Sequence, residues 1–321
     1  MHFGIVRGRK PSSVSSARAD EERGGEGQST MRVTTTELRK ATQLFALLWA
    51  NSFFGAFFTR RIYKGPLKST CVPFLNCHAC PTATFSCPVG TWQHYMATHQ
   101  FPFFVVGQLG LIGMLVGRMV CGWLCPFGFV QDALISSTRQ PLQVPRAWTY
   151  LRWVVLGLLV IAIPWITTEH WFSKLCPVGT LIAALPWVLW NPTDPETGAK
   201  IIAPGSFGWL LAAKIAILVA ILVVSRVVKR PFCRVFCPLG LFFSFFNKVS
   251  ILRLEVAPEC DGCDACQKLC PVDIKVYEDP NSSDCIRCLD CTSCAHVTVG
   301  LRLPLGMPAA SDRNEQDSPS P

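Results

Sequence analysis

Charge is scarce in this sequence. Asp, Glu, Lys and Arg make up 16% of 321 residues, against roughly 25% in ordinary soluble domains. Half of the residues are hydrophobic, which points to membrane helices before any motif is read. Histidine is limited to six residues, and no C-x2-C-H haem-attachment unit occurs; Cys77-His78, the nearest, has the wrong order. Gly-rich phosphate loops are missing, so no nucleotide or flavin site is expected. The apolar core of a signal peptide is also missing. The formal charge of +9 would suit a nucleic-acid partner. The basic residues, however, lie mainly in the N-terminal segment and beside apolar runs, so a membrane surface is expected and nucleic acid is not.

Cysteine is in excess, with 17 residues. A small secreted protein would use so many as disulfides. Here many stand in C-x2-C and C-x3-C-P units, a spacing that suits metal ligation. The run Cys260-Asp-Gly-Cys263-Asp-Ala-Cys266-Gln-Lys-Leu-Cys270-Pro271 is C-x2-C-x2-C-x3-C-P, the bacterial ferredoxin run for [4Fe–4S] clusters. A zinc ribbon would want two separated C-x2-C pairs instead. The second run, Cys285, Cys288, Cys291 and Cys294, has two residues before its last cysteine where three are usual, then Ala295 in place of proline. In two-cluster ferredoxins the fourth cysteine of each run serves the other cluster. One cluster then takes Cys260, Cys263, Cys266 and Cys294, and the other Cys285, Cys288, Cys291 and Cys270. The shortening touches the first cluster through Cys294, and a three-iron or labile centre is an open alternative there.

Residues 1–40 read as a disordered cytoplasmic tail, with Met31 a candidate start, and 301–321 as a flexible tail. Four apolar runs are candidate spans: Ala41–Phe58, Phe101–Met119, Leu151–Thr167 and Phe207–Val228. A fifth, Leu175–Trp190, carries Cys176-Pro177 and Pro186 and reads as re-entrant or interfacial. Lys and Arg beside the spans put both termini and the 118–152 loop in the cytoplasm. Arg60, Arg61, Lys64 and Lys68 break that pattern. Seven tryptophans, among them Trp148, Trp153, Trp165 and Trp209, flank the spans as an aromatic belt.

The chain repeats itself. Cys87-Pro-Val-Gly precedes the second span and Cys176-Pro-Val-Gly the fourth; Cys121-x3-Cys125-Pro-Phe-Gly ends the second and Cys233-x3-Cys237-Pro-Leu-Gly the fourth. Two related helix pairs follow, with equivalent elements meeting at the repeat interface. The fold class expected is mainly α, a polytopic helical membrane domain over 41–250 with about four spans in two pairs. A small α+β ferredoxin-like module over 251–300 completes it. Cys121, Cys125, Cys233 and Cys237 together supply four thiols, enough for one further cluster or one zinc ion. The alternatives are paired redox thiols or a structural role. The proline after each second cysteine stops the helix, and the glycine two residues on is expected to allow a tight turn. Arg118 and Arg234 sit where they would favour thiolates or serve only the positive-inside pattern.

Gly117–Asp132, Lys229–Gly240 and the cysteine module from Cys260, with the joining phrase Asp279–Cys288, resemble the NapH-type membrane-bound polyferredoxins and the iron–sulfur part of NosR-like proteins. Cys71–Gln93 is similar to a subgroup known only as 4Fe–4S binding membrane proteins. The resemblance covers roughly 41–300. It implies four spans in the inner membrane, cytoplasmic termini, and electron transfer between the quinone pool and a redox partner such as a reductase, a cytochrome or a ferredoxin.

Cys71, Cys77, Cys80, Cys87 and Cys176 fall on the outer side of this topology, where disulfides and a further metal site compete as readings. Glu169–His170 is a candidate proton acceptor for quinol oxidation, and an interfacial role is its rival. The overall expectation is a single-electron relay with two [4Fe–4S] clusters. The alternatives are a membrane redox sensor or metalloenzyme maturation factor, and a zinc-stabilised scaffold.

Overall fold

The computed structural model describes residues 35–135, 142, 145–191, 200 and 208–301. The expected tails lie outside these residues, except that 35–40 are already helical. The first helix, α1, covers 35–50, and a turn at Asn51 ends it, so the run Ala41–Phe58 is not one span. Asn51 directs its amide to the Leu47 carbonyl at 2.9 Å and to Asn76 Oδ1 at 3.2 Å, a side-chain alternative to helix continuation.

The rest of the helical part follows the repeat. Cys87 is extended and caps α2 (Pro88–Ala97), and α3 (Phe103–Val116) returns beside it. A short helix α4 (Met119–Trp123) carries Cys121, and α5 (Pro126–Ile135) starts after Cys125. The long helix α6 (Ala147–Thr167) separates the two copies, followed by α7 (Trp171–Leu175). In the second copy Cys176 is again extended, before α8 (Pro177–Trp190). Then come α9 (Trp209–Val224), α10 (Pro231–Val235) with Cys233, and α11 (Pro238–Ser244) after Cys237. Proline suits each first turn because its missing N–H has no partner there. Interior prolines are handled differently. Wide π turns at Val155–Ala162 and Thr180–Ala184 precede Pro164 and Pro186, where a regular turn would set the ring against a carbonyl.

Among the described residues α6 alone is long and apolar enough to cross a membrane; α3, α8 and α9 are apolar but shorter. At 1.5 Å per residue α3 and α9 reach about 21 and 24 Å, under the roughly 30 Å of a hydrocarbon core. Four full spans are therefore not seen. Large apolar side chains nevertheless face outward along the same helices, among them Phe104, Leu111, Leu158, Ile166, Val219 and Val223.

The C-terminal module is small. Strands β1 (Leu252–Val256) and β2 (Val297–Leu301) pair antiparallel, with Leu254 opposite Val299. The helix α12 (Ala265–Leu269) and a 3-10 turn at Asp290–Ser293 lie between them. Leu254, Val276 and Val297 form its apolar core together with Cys266, Cys285 and Cys291.

The two copies are locked by a reciprocal pair of arginines. Arg118 of the first copy donates to the Cys233 carbonyl at 3.0 Å, and Arg230 of the second donates to the Cys121 carbonyl at 2.9 Å. Both side chains are fully buried. A Cβ on Gly240 would lie 2.9 Å from Arg118 Nη2, and one on Gly128 would lie 3.1 Å from Arg230 Nη1. These glycines leave room for the opposite guanidinium; neither has the positive φ that a tight turn would require. Asp132 grips Arg230 through both carboxylate oxygens. Burial alone would lower the pKa of Arg230, and the Asp132 carboxylate outweighs it. Breaking a buried pair from one side typically costs about 3–5 kcal/mol. Asp132→Ala is accordingly expected to lower the unfolding temperature in detergent by several degrees, measured by scanning fluorimetry; an unchanged midpoint would show that the pair carries no stability.

Candidate functional site

Seventeen free thiols are present, and twelve of them fall into the three sets that the spacing predicts. Cys270, Cys285, Cys288 and Cys291 line one small cavity, walled also by Leu254, Val276 and Ile286. All four cysteines are buried. The loops turn backbone N–H groups onto the sulfurs: Val272, Asp273 and Ile274 onto Cys270, and Arg287 onto Cys285 at 3.4 Å. Such donors favour a thiolate. Burial opposes it and pushes the free thiols up, Cys285 to about 11 and Cys291 to about 12. A cluster removes that conflict, because ligation replaces the proton.

The second module set is more open. Cys266 is buried on α12 and has Cys294 and Cys260 within electrostatic reach. Cys260 and Cys294 are half-buried and Cys263 is exposed. The shortened run therefore still brings Cys294 beside Cys266.

The third set joins the copies. Cys121, Cys125, Cys233 and Cys237 line a small cavity with Arg118, Phe127, Phe232, Leu239 and, from the 71–87 loop, Phe74 and Leu75. The helix caps hold these sulfurs. Gly240 donates its N–H to Cys237 at 3.3 Å, and Gln131 Nε2 donates to Cys233 at 3.2 Å. Gln131 is fully buried and accepts from the Phe232 N–H as well. Its role was not legible from spacing; only its place in the quoted stretch Gly117–Asp132 hinted at it.

No three His, Cys, Asp or Glu side chains among the described residues close on a point that would hold a single metal ion. Charge bears on the thiol sets as well. Six arginines are buried: Arg39, Arg118, Arg152, Arg230, Arg234 and Arg287. Among the described residues their ion pairs reach three carboxylates, Asp132, Asp284 and Asp290. Arg234 has Nε and Nη1 buried without a hydrogen-bond partner among the described residues, with Asp284, Asp273 and then the Cys270 sulfur within electrostatic reach. Buried cations short of partners are costly, and thiolates around a cluster would supply further negative charge. Arg118 thus serves structure and charge together, while the positive-inside pattern accounts for neither.

The sets adjoin one another. Cys121 packs against the cluster of Cys270, Ile286 and Cys288, and Cys285 and Cys291 share a core with Cys266 and Cys294. Gly122 makes the close approach possible, since a Cβ there would lie 2.7 Å from the Ile286 carbonyl. The Trp123 indole donates to the Arg287 carbonyl at 3.1 Å beside it.

At the far end of α6 lies a cavity of about 1470 Å³. His94 and His170 stack in its wall with centroids 6.2 Å apart. Glu169 forms an ion pair with Lys174, which lines the cavity, and lies within electrostatic reach of His170 without hydrogen-bonding it. Arg60, Lys64 and Lys68 line the same cavity. The cysteines expected on the outer side are drawn inward: Cys71, Cys80 and Cys176 are buried.

A family described as a 4Fe-4S binding domain matches residues 98–143 and 210–254, the two segments that carry the C-x3-C-P pairs. An uncharacterized protein of Methanocaldococcus jannaschii is 29% identical over 194 residues, 57% of this chain and 71% of that one. The ferredoxin-type protein NapH of Haemophilus influenzae is 24% identical over 79% of this chain and 84% of its own length. The methylamine utilization ferredoxin-type protein MauN of Methylorubrum extorquens is 26% identical over 48% of this chain and 47% of its own. No solved structure matches the chain significantly.

Gly122→Ala is expected to push the module off the helical part. Backbone amides of 252–301 should then exchange faster by hydrogen–deuterium mass spectrometry, while those of α9 stay unchanged; equal exchange would mean that the close approach does not hold the module.

Proposed function

We propose that this chain, which is a NapH-type polyferredoxin, is a membrane iron–sulfur protein that passes single electrons between a quinol and a protein partner. The observation that carries the reading is the order of the thiol sets: each adjoins the next, from the exposed module to the centre of the helical part. Cys260, Cys263, Cys266 and Cys294 would hold one [4Fe–4S] cluster, Cys270, Cys285, Cys288 and Cys291 a second, and Cys121, Cys125, Cys233 and Cys237 a third. When bound, such clusters supply one-electron storage at potentials set by charge, hydrogen bonds and exposure. The chain's own residues set those levers. Gln131 and the Gly240 N–H donate to sulfurs of the third set, and the buried arginines favour its anionic state. Leu75, Phe127, Phe232 and Leu239 exclude water from it.

The outward apolar surface of α3, α6 and α9 supports a membrane setting, with the module on the side where Arg152 meets Asp284 at 2.8 Å. The large cavity then opens at the opposite face, about 30 Å away along α6. Its stacked imidazoles suit a quinol, whose oxidation releases protons as well as electrons. His94 and His170 would take the proton-accepting role for which Glu169–His170 was the candidate. The partner would dock at the module's exposed set, around Cys263. That same exposure is what favours the rival reading, a redox sensor or maturation factor with a labile outer cluster.

Pairing Cys121→Ala with Cys237→Ala tests the reading. Anaerobically purified protein is expected to lose about four irons and four sulfides per chain, one cube's content, and one EPR signal after dithionite reduction. A quinol analogue is expected to bleach the visible absorbance of the wild type, and His94→Ala with His170→Ala to slow that bleaching at least tenfold. Full iron retention in the cysteine variant would remove the third set from the assignment, and no bleaching with the partner present would remove the quinol.

A further inference from the structure

Five cysteines remain outside the three sets, and four of them converge. Cys77 has Cys80 and Cys87 within electrostatic reach, and Cys176 has Cys87 and Cys77. A Cβ on Gly179 would lie 3.5 Å from Cys77 Sγ and 3.9 Å from Cys176 Cβ, so the start of α8 lies directly against Cys77. Cys80 packs with Cys77, Ala83 and Ala183, under Trp187. The Trp187 indole donates to the Ala79 carbonyl at 2.7 Å and pins that loop to α8. The fifth cysteine, Cys71, has Cys87 within electrostatic reach and donates its thiol to Thr91 Oγ1 at 3.4 Å.

We propose that Cys77, Cys80, Cys87 and Cys176 are the ligands of a fourth iron–sulfur cluster of the cubane class. The proposal rests on the reading of the chain as an iron–sulfur protein and extends it to residues that no family match covers.

The first support is internal. In the third set Cys237 is an extended cap residue, with φ −77° and ψ 110°, before a helix begun by proline, and the N–H of Gly240 points at its sulfur. Cys87 (φ −76°, ψ 127°) and Cys176 (φ −63°, ψ 122°) have the same conformation before Pro88 and Pro177. The N–H groups of Gly90 and Gly179, at the matching position, lie on the side of their sulfurs. Each copy of the repeat thus carries two Cys-Pro-x-Gly caps, one at each set, and the pseudo-symmetry that pairs Cys125 with Cys237 pairs Cys87 with Cys176. The ligands that the third set draws from the helices α4 and α10 have counterparts in Cys77 and Cys80, delivered by one loop.

The second support is polar. The Cys87 sulfur receives further backbone N–H groups from Val89 and Asn76, the Cys176 sulfur one from Val178, and the Cys77 sulfur one from Ala79. Lys68 lies within electrostatic reach of Cys77 and Cys80. Donors converging on buried sulfurs describe a place for thiolates, and thiolates without a metal would be costly there.

The third support is position. Leu75 walls the third cavity, Asn76 reaches the Cys87 sulfur, and Cys77 follows at once. On its other side the set borders the large cavity, whose lining includes Cys77, His78, Gly90 and Gly179. The fourth set therefore fills the interval between that cavity and the third set.

Iron, acid-labile sulfide and zinc per chain are to be measured on the full-length protein, purified anaerobically in detergent. The expected content is about sixteen irons, four per site. Cys87→Ala with Cys176→Ala is expected to retain about twelve and to lose one EPR component, the remaining signals reporting an intact fold. Cys71→Ser is expected to retain all. Adding Cys121→Ala and Cys237→Ala should bring the content to about eight. A wild type holding about twelve irons, four of them lost with Cys121 and Cys237, would overturn the fourth site and leave the proposed function standing. Iron retained in the Cys87 and Cys176 variant, or zinc lost from it in place of iron, would overturn the assignment. Alkylation and peptide mapping of the anaerobically denatured wild type needs no variant: four free thiols at these positions agree with the proposal, and a disulfide among them defeats it.

Discussion

The exchange of arginines between the two copies is the constraint on which the rest of the structure depends. Arg118 and Arg230 each cross to the carbonyl of the other copy's first cysteine. The same contact closes the helix pairs, fixes the spacing of four thiols and places two positive charges behind them. It is feasible only because Gly128 and Gly240 have no Cβ and because Asp132 and Asp284 neutralise part of the charge. A lysine would not replace either arginine, since one guanidinium must reach a carbonyl and a carboxylate in fixed directions.

That constraint explains why a pair of cysteines stands where an apolar helix ends. An arginine of this kind needs a carbonyl that its own helix does not use, and the last turns of a helix offer such groups. The short helices α4 and α10 expose their carbonyls to the opposite copy, and the proline after each second cysteine starts the next helix without an orphaned donor. The sulfur then receives the N–H groups that helix starts leave unpaired. Cysteine, proline and glycine in this order are thus a helix cap whose acceptor is a sulfur.

Much of this was legible in the sequence, and the limits are physical. The grouping of the module thiols was legible from spacing, because thiols on one tight loop must converge. Even with the shortened second run Cys294 lies in one packed cluster with Cys266, since β1–β2 pairing brings that run back over α12. The repeat was visible as repeated words. Its consequence was not: the arginine exchange lies between residues more than a hundred positions apart, and no local period encodes it. Hydropathy overstated the spans for a related reason. It counts apolar residues and cannot see that Asn51 turns its amide onto the Leu47 carbonyl and ends α1. The burial of the 71–87 loop was hidden for another reason: the positive-inside count treats a loop as solvent-exposed, whereas Phe74 and Leu75 line the cavity of the third set.

The inward course of that loop also accounts for the short helices. Backbone that is neither helix nor strand is tolerated at membrane depth only where protein buries it. Here α2 and α8 both begin inside the molecule, at Cys87 and Cys176, with α1, α3, α6 and α9 around them. Helices of about 21 to 24 Å are long enough for such an arrangement, because the loop and its thiols occupy the remaining depth. A full-length span at α3 or α9 would leave no room for the cysteine loop, and a bundle without the loop would have no polar groups to hold sulfur at mid-depth. The shortness of these helices and the excess of cysteine are therefore one structural solution, in which irregular backbone is admitted to the interior because its N–H groups are needed there.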